Sequence, residues 1–156
     1  VGASRWQIVD NVVLSRGRDR RGDAYGIYMK GGGEAGRIER NIVTCSAQGD
    51  APVGAHVGIS LGDGGTGAAY CRGDCAYEHR GGRIVNNIVA HCNDVGIDVA
   101  RSTGAVVLHN TLVNTQGMLT RNPPSDARFE RNLSDGRVHR RAGTSSETHD
   151  NVRRFD

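Results

Sequence analysis

A chain of 156 residues fits one domain and is long enough to bury a continuous core. Its apolar share of 37%, aromatic share of 4%, and 23 glycines against three prolines exclude a Pro-rich disordered chain and favour thin layers of Val, Ile, Leu and Ala in sheets that turn often. The net charge of +3 rests on basic side chains that are nearly all Arg, Lys30 being the one lysine; they are scattered, without the basic stripe and aromatic platforms of a nucleic-acid surface, and no run of about 18 apolar residues could span a membrane.

The chain begins at Val1, inside a periodic segment and without an initiator Met, a pattern that fits a processed product or a fragment of a longer solenoid. From there a motif recurs around an Asn. Ile8-Val9-Asp10-Asn11-Val12-Val13 is followed by Ile38-Glu39-Arg40-Asn41-Ile42-Val43 and Ile84-Val85-Asn86-Asn87-Ile88-Val89. Val107-Leu108-His109-Asn110-Thr111-Leu112 and Phe129-Glu130-Arg131-Asn132-Leu133-Ser134 continue the series, and His149-Asp150-Asn151-Val152 is a degenerate last copy. A second element follows at variable distance: Gly26-Ile27-Tyr28-Met29, Gly58-Ile59-Ser60-Leu61, Gly96-Ile97-Asp98-Val99 and Gly117-Met118-Leu119-Thr120. Both alternate with period two, as half-buried strands do.

The Asn-to-Asn spacings of 30, 46, 23, 22 and 19 residues set the unit by their shortest members, the longer ones carrying loops. A unit of about 20 residues cannot close its own core, so it must stack on its neighbours and pair its strands with theirs in parallel. Asn11, Asn41, Asn87, Asn110 and Asn132 then form a structural ladder, because Asn tolerates the left-handed region and its amide bonds both backbone and the next Asn. The expected fold is all-β: a right-handed, single-stranded parallel β-helix of about five to six coils, one domain over residues 1–156.

This pattern resembles right-handed parallel β-helix repeat proteins of the pectin-lyase-like superfamily, over roughly residues 6 to 152 and most typically from Gly82 to Thr115. The resemblance implies that the Asn lies at the bend between a second and a third sheet and that the Gly-Ile elements form a first sheet. It also implies saccharide binding beside that first sheet, where the loops Ser15 to Tyr25 and Ser46 to Val57 are long. Relatives of this kind include polysaccharide lyases, hydrolases, epimerases and adhesins, and Ca²⁺ enters as a cofactor through the resemblance alone; the residues identify none.

Residues 62–81 form an inserted segment rich in Gly with two cysteines. Its Gly run lacks the Lys-Ser/Thr of a phosphate cradle, and Arg72-Gly73-Asp74, an adhesion-like tripeptide, is too short to carry weight. Cys71 and Cys75 are expected to form a small disulfide or remain thiols; a zinc site with His79 would lack its fourth local ligand. Cys45 and Cys92, four and five residues after a ladder Asn, are expected to stack as buried thiols. The even cysteine count suits an oxidising compartment, secreted, periplasmic or at the cell surface.

Stacking makes residues at equal offset vertical neighbours. Tyr28, Ser60, Asp98 and Leu119 form one outward column, Lys30, Gly62, Ala100 and Arg121 a second, and Ala24, His56 and Asp94 a third. The catalytic candidates are His56 with Asp94, where the carboxylate would orient the imidazole, together with Asp98 and Lys30. Tyr28, Ser60, Glu78, His79, Arg101 and Arg121 are the substrate-binding candidates, with Glu78 and His79 closing over the same surface. Lys30 and Arg121 lie three coils apart, about 14 Å, too far to serve one sugar, and Asp98 has no second carboxylate beside it. The implied partner is a polysaccharide or oligosaccharide, and a lyase-like action on an acidic, uronate-containing polymer is the leading function. The alternatives are a non-catalytic glycan-binding or adhesin module and a structural piece of a longer solenoid, whose open ends would also favour end-to-end self-association.

Overall fold

The computed structural model of the chain describes residue 2 and residues 4–14, 22–46, 54–63, 65–71 and 76–154. In chain order its strands are β1 (Gln7–Val9), β2 (Val12–Leu14), β3 (Ala24–Met29), β4 (Gly33–Glu34), β5 (Arg37–Glu39), β6 (Ile42–Thr44) and β7 (His56–Gly62). There follow β8 (His79–Arg80), β9 (Arg83–Val85), β10 (Ile88–Ala90), β11 (Ile97–Ala100), β12 (Ser102–Thr103), β13 (Ala105–Leu108), β14 (Thr111–Val113) and β15 (Gly117–Arg121). The last are β16 (Asp126–Glu130), β17 (Leu133–Ser134), β18 (Arg137–Arg140), β19 (Ser145–His149) and β20 (Val152–Arg153). Among the described residues the only helical element is a 3₁₀ turn at Ala68–Tyr70.

The chain visits three sheets in rotation. The first sheet holds β3, β7, β11, β15 and β18; the second holds β1, β5, β9, β13, β16 and β19; the third holds β2, β6, β10, β14, β17 and β20. A small fourth sheet joins β4, β8 and β12. Every strand pair is parallel, so residues far apart in sequence sit on adjacent rungs about 4.8 Å apart. Alternation then sorts the side chains. Ile38, Ile84, Val107 and Phe129 stack inward from the second sheet, Val43, Val89 and Leu112 from the third, and Ile59, Ile97 and Met118 from the first. All are buried in one continuous core, and each full burial contributes about 1.5–3 kcal/mol. A Cβ built on Gly58 would meet Val89 Cγ1 at 2.2 Å, so a residue without a side chain is required where the first sheet approaches the third.

A row of amide hydrogen bonds holds the bend between the second and third sheets. Nδ2 of Asn11, Asn41, Asn87, Asn110 and Asn132 each donates to Oδ1 of the next Asn at 2.8–3.0 Å, the row ending at Asn151. The same Oδ1 atoms accept the backbone N–H of the preceding Asn, and the Nδ2 groups also donate to carbonyls such as Val85 and Ile38. The left-handed residue is one position earlier than the sequence suggests. Asp10, Arg40, Asn86, His109, Arg131 and Asp150 take φ between 51° and 59°, while none of the ladder asparagines does. Each such residue costs about 1–2 kcal/mol, so the tight corner is held by the amide bonds of the next residue rather than by its tolerance for that conformation.

Two further expectations change. Cys45 and Cys92 are not thiols but a disulfide, with Cα atoms 4.9 Å apart on neighbouring rungs; closing a loop of 47 residues stabilises the fold by about 4 kcal/mol on chain-entropy grounds. The 62–81 segment is not all loop either, because Gly62 ends β7 and His79–Arg80 pairs with Gly33–Glu34 and Ser102–Thr103. Of the long loops, residues 15–21 and 47–53 lie outside the described residues, as do Arg72-Gly73-Asp74 and Cys75.

Candidate functional site

The outer face of the first sheet gathers charged and aromatic groups by register. Tyr28 pairs laterally with Ser60, Ser60 with Asp98, and Asp98 with Leu119; two residues along, Gly62, Ala100 and Arg121 are neighbours. The first two of the three columns expected from the sequence are therefore present wherever a register is defined, and of the third the Ala24–His56 pair is present. Their surroundings differ from expectation: Ser60 and Asp98 are fully buried, whereas Tyr28 is 51% exposed.

Asp98 anchors one half of the site. Its Oδ2 accepts from Arg121 Nε at 3.0 Å, with Arg121 Nη2 also at 3.0 Å and Ser60 Oγ at 3.4 Å. Arg121 Nη1 reaches Asp94 Oδ2 at 3.4 Å. Burial raises the Asp98 carboxyl to about 6, against the pull of Arg121, and its Oδ1 is buried with no hydrogen-bond partner among the described residues. A carboxyl in that range exchanges protons near neutral pH, the property general acid–base chemistry needs.

The other half is built on Asp63. Tyr25 Oη donates to Asp63 Oδ1 at 2.9 Å, and Lys30 Nζ to Asp63 Oδ2 at 3.0 Å. Burial opposes the charge on Lys30, but Asp63 outweighs it and holds the ammonium above its ordinary range. The Tyr25 and Tyr28 rings meet edge to face with centroids 5.8 Å apart, and Lys30 Nζ lies 5.7 Å from the Tyr28 ring. Burial and then Asp63 raise the Tyr25 phenol, which also senses Arg121 and Asp98. Lys30 and Arg121 thus occupy the two ends of one electrostatic network bridged by Tyr25.

Several expected roles are corrected. His56 and Asp94 meet through backbone, Asp94 N–H donating to the His56 carbonyl at 3.3 Å, but the His56 ring is buried and neither nitrogen has a partner among the described residues. Asp94 turns instead to Arg121, drawn by its charge. Asp98 does have a neighbouring carboxylate, Asp94, through the shared guanidinium. His79 does not close over the site: it is buried beside Met29 and Leu61, and its Nε2 accepts the Gly36 N–H at 3.1 Å. Burial lowers it to about 4, so the ring is a neutral packing group.

Glu78 does lie with the site. Its Oε2 accepts from Gly31 N at 2.9 Å and Thr66 Oγ1 at 2.6 Å, and its charge supports Lys30. Arg101 sits at the turn after β11 with φ 50° and its carbonyl accepts the Glu78 N–H. Sequence reasoning missed Tyr25 and Asp63. The signal for Asp63 was present: Met29 pairs with Leu61, so two residues on, Asp63 follows the rung neighbour of Lys30.

A metal ion needs several donors that converge on it. Among the described residues no three His, Cys, Asp or Glu side chains converge on one, Cys71 is disulfide-bonded, and Asp63, Asp94 and Asp98 already hold the protein's own cations. They form no cage of six or more oxygens for Ca²⁺. A cavity of about 430 Å³ lies elsewhere, at the end of the stack beside Met118, Val138 and Val152. No helix of the described residues is long and apolar enough to cross a membrane. Compared with known proteins, the chain matches no family model, no curated protein and no solved structure.

Proposed function

We propose that this chain is a right-handed, single-stranded parallel β-helix of about five to six coils, akin to the pectin-lyase-like superfamily, that recognises carbohydrate along the outer face of its first sheet. The observation that carries the reading is the exposed Tyr28 ring, flanked by Tyr25 and the Lys30–Asp63 pair, one rung from Ser60 and two from Asp98. An aromatic face beside fixed donors and acceptors suits a ligand with an apolar ring face and a hydroxyl rim. The Cys45–Cys92 disulfide is compatible with secretion or surface display. If the site turns substrate over, as a lyase on uronate polymers or as a hydrolase, Asp98 is the group whose proton affinity suits the transfer.

A panel of uronate polymers and neutral glycans tests this. Retention of at least one class, weakened about tenfold or more by Tyr28→Ala, is the expected result, tenfold corresponding to about 1.4 kcal/mol. Absorbance from new unsaturated ends, abolished by Asp98→Asn with binding kept, would mark a lyase; binding without product would mark an adhesin-type module. No binding across the panel overturns the reading.

A further inference from the structure

The outer face of the third sheet carries a stripe that no part of the glycan reading uses. By register, Val12, Ile42, Ile88, Thr111, Leu133 and Val152 stack in one outward row. The five aliphatic members are 38–65% exposed, and Leu14 and Val113, two residues further along their strands, are bare as well. The inward row of the same strands, Val43, Val89 and Leu112, is fully buried. Strands apolar on both sides, such as Val12-Val13-Leu14 and Ile88-Val89-Ala90, are the signature of a sheet covered on both faces. In the monomer one of those faces is open.

We infer that a second copy of this chain covers the stripe, face to face, about a two-fold axis parallel to the strands. The stripe is flat and repeats every rung, about 4.8 Å, a period that an identical face matches side chain for side chain. It has no hydrogen-bonding row for a glycan. Its corner row, Asp10, Arg40, Asn86, His109, Arg131 and Asp150, is of mixed sign, unlike the basic belt an anionic lipid surface attracts.

Such an axis reverses the order of the rungs and lays corner row beside corner row. Centred on Ile88, it sets Ile88 against its own copy, Ile42 against Thr111 and Val12 against Leu133, which overlaps five of the six rungs, and it brings Asp10, already held by Arg40 of its own chain, beside Arg131 of the second copy. The stripe measures about 24 Å by about 10 Å. That is the apolar centre of an interface whose stable form covers about 800 Å² per partner, the mixed-charge rim supplying the remainder.

Sedimentation velocity between about 10 nM and about 100 µM, wide enough to follow a tenfold weakening of a dimer of nanomolar or micromolar affinity, decides the matter. The wild type is expected to sediment as a dimer, Ile88→Lys to weaken it at least tenfold with its far-ultraviolet circular dichroism unchanged, and Tyr70→Ser, an exposed aromatic outside the stripe, to leave it intact. Asp10→Arg should weaken the dimer and Asp10→Arg with Arg131→Asp restore it. If Ile88→Lys fails to fold, Ile42→Lys gives the same reading. A monomer throughout the range overturns the inference, and so does a dimer indifferent to both Lys variants, which would signal end-to-end joining. Glycan binding by Ile88→Lys separates this result from the first-sheet proposal, since the two faces share no residue.

Discussion

The outer faces of the first and third sheets are built on the same rungs, yet they invert the usual rule of burial. On the first, Ser60 and Asp98 are hidden and the charges are paired, Lys30 with Asp63 and Arg121 with Asp98 and Asp94. On the third, Ile42 and Ile88 stand 43% and 46% exposed in a row that is aliphatic at every described rung but Thr111. Buried polar groups and bare apolar rows are the informative exceptions on a protein surface. The contrast shows how a repeat fold separates tasks. Inward aliphatics and the asparagine row fix the register, leaving each outward column free to carry its own chemistry.

Breaking the common support should abolish both faces together, and this is the largest effect expected. Asn87→Ala removes an acceptor for the Asn41 N–H and amide and a donor to the Val85 and Ile38 carbonyls, all in the buried row. Orphaned buried groups cost about 1–3 kcal/mol each, so a loss of about 5 kcal/mol in urea unfolding is expected, with Arg40 and Asn86 no longer held in the left-handed region. A loss below about 1 kcal/mol would mean that the row follows the register rather than fixing it.

The pH dependence sharpens the comparison, because a buried acid on the first-sheet face opposes a buried base in the core. Asp98 has its folded pKa raised from 3.8 to about 6. Its contribution to stability is therefore present below about 4 and lost as the pH rises towards 6. His79 is lowered from 6.5 to about 4, and a protonated ring could no longer accept the Gly36 N–H, so its contribution is present above 6.5 and lost as the pH falls towards 4. Each is worth at most about 3 kcal/mol, and in the wild type they largely cancel. Thermal melts across this window should show Asp98→Asn losing stability on acidification and His79→Gln, whose side-chain oxygen can still accept from Gly36, losing it as the pH rises. Parallel curves for the two variants would remove one of the two groups from the account.

The rungs themselves were legible in the sequence because period-two alternation and a recurring Asn are local signals that survive insertions. Equal offsets from Gly-Ile therefore became real neighbours, Ser60 beside Asp98 among them. Side-chain choices made across rungs were not legible. Nothing local says that Asp94 prefers the guanidinium of Arg121 to the ring of His56, or that His79 turns into the core while Glu78 faces the site. The Cys45–Cys92 bond depends on the geometry of two turns of different length. The third-sheet stripe had a local signal that alternation obscured: the residue after each ladder Asn is Val, Ile or Leu in five copies and Thr in one, where an outward position facing water would vary.

The smallest effect should come from the stripe itself. Ile42→Thr keeps a β-branched residue on the strand and alters a side chain already 43% exposed, so the unfolding free energy of the monomer, measured by urea titration at a concentration below dimer formation, should move by no more than about 0.5 kcal/mol. The same substitution on the dimer removes apolar area that is dry only when the second copy is present, and its cost should appear as concentration-dependent stability rather than as a change in the monomer. A loss of about 1.5 kcal/mol or more at low concentration would show that the chain itself already shields Ile42, making the two faces alike in burial and leaving the stripe without need of a partner.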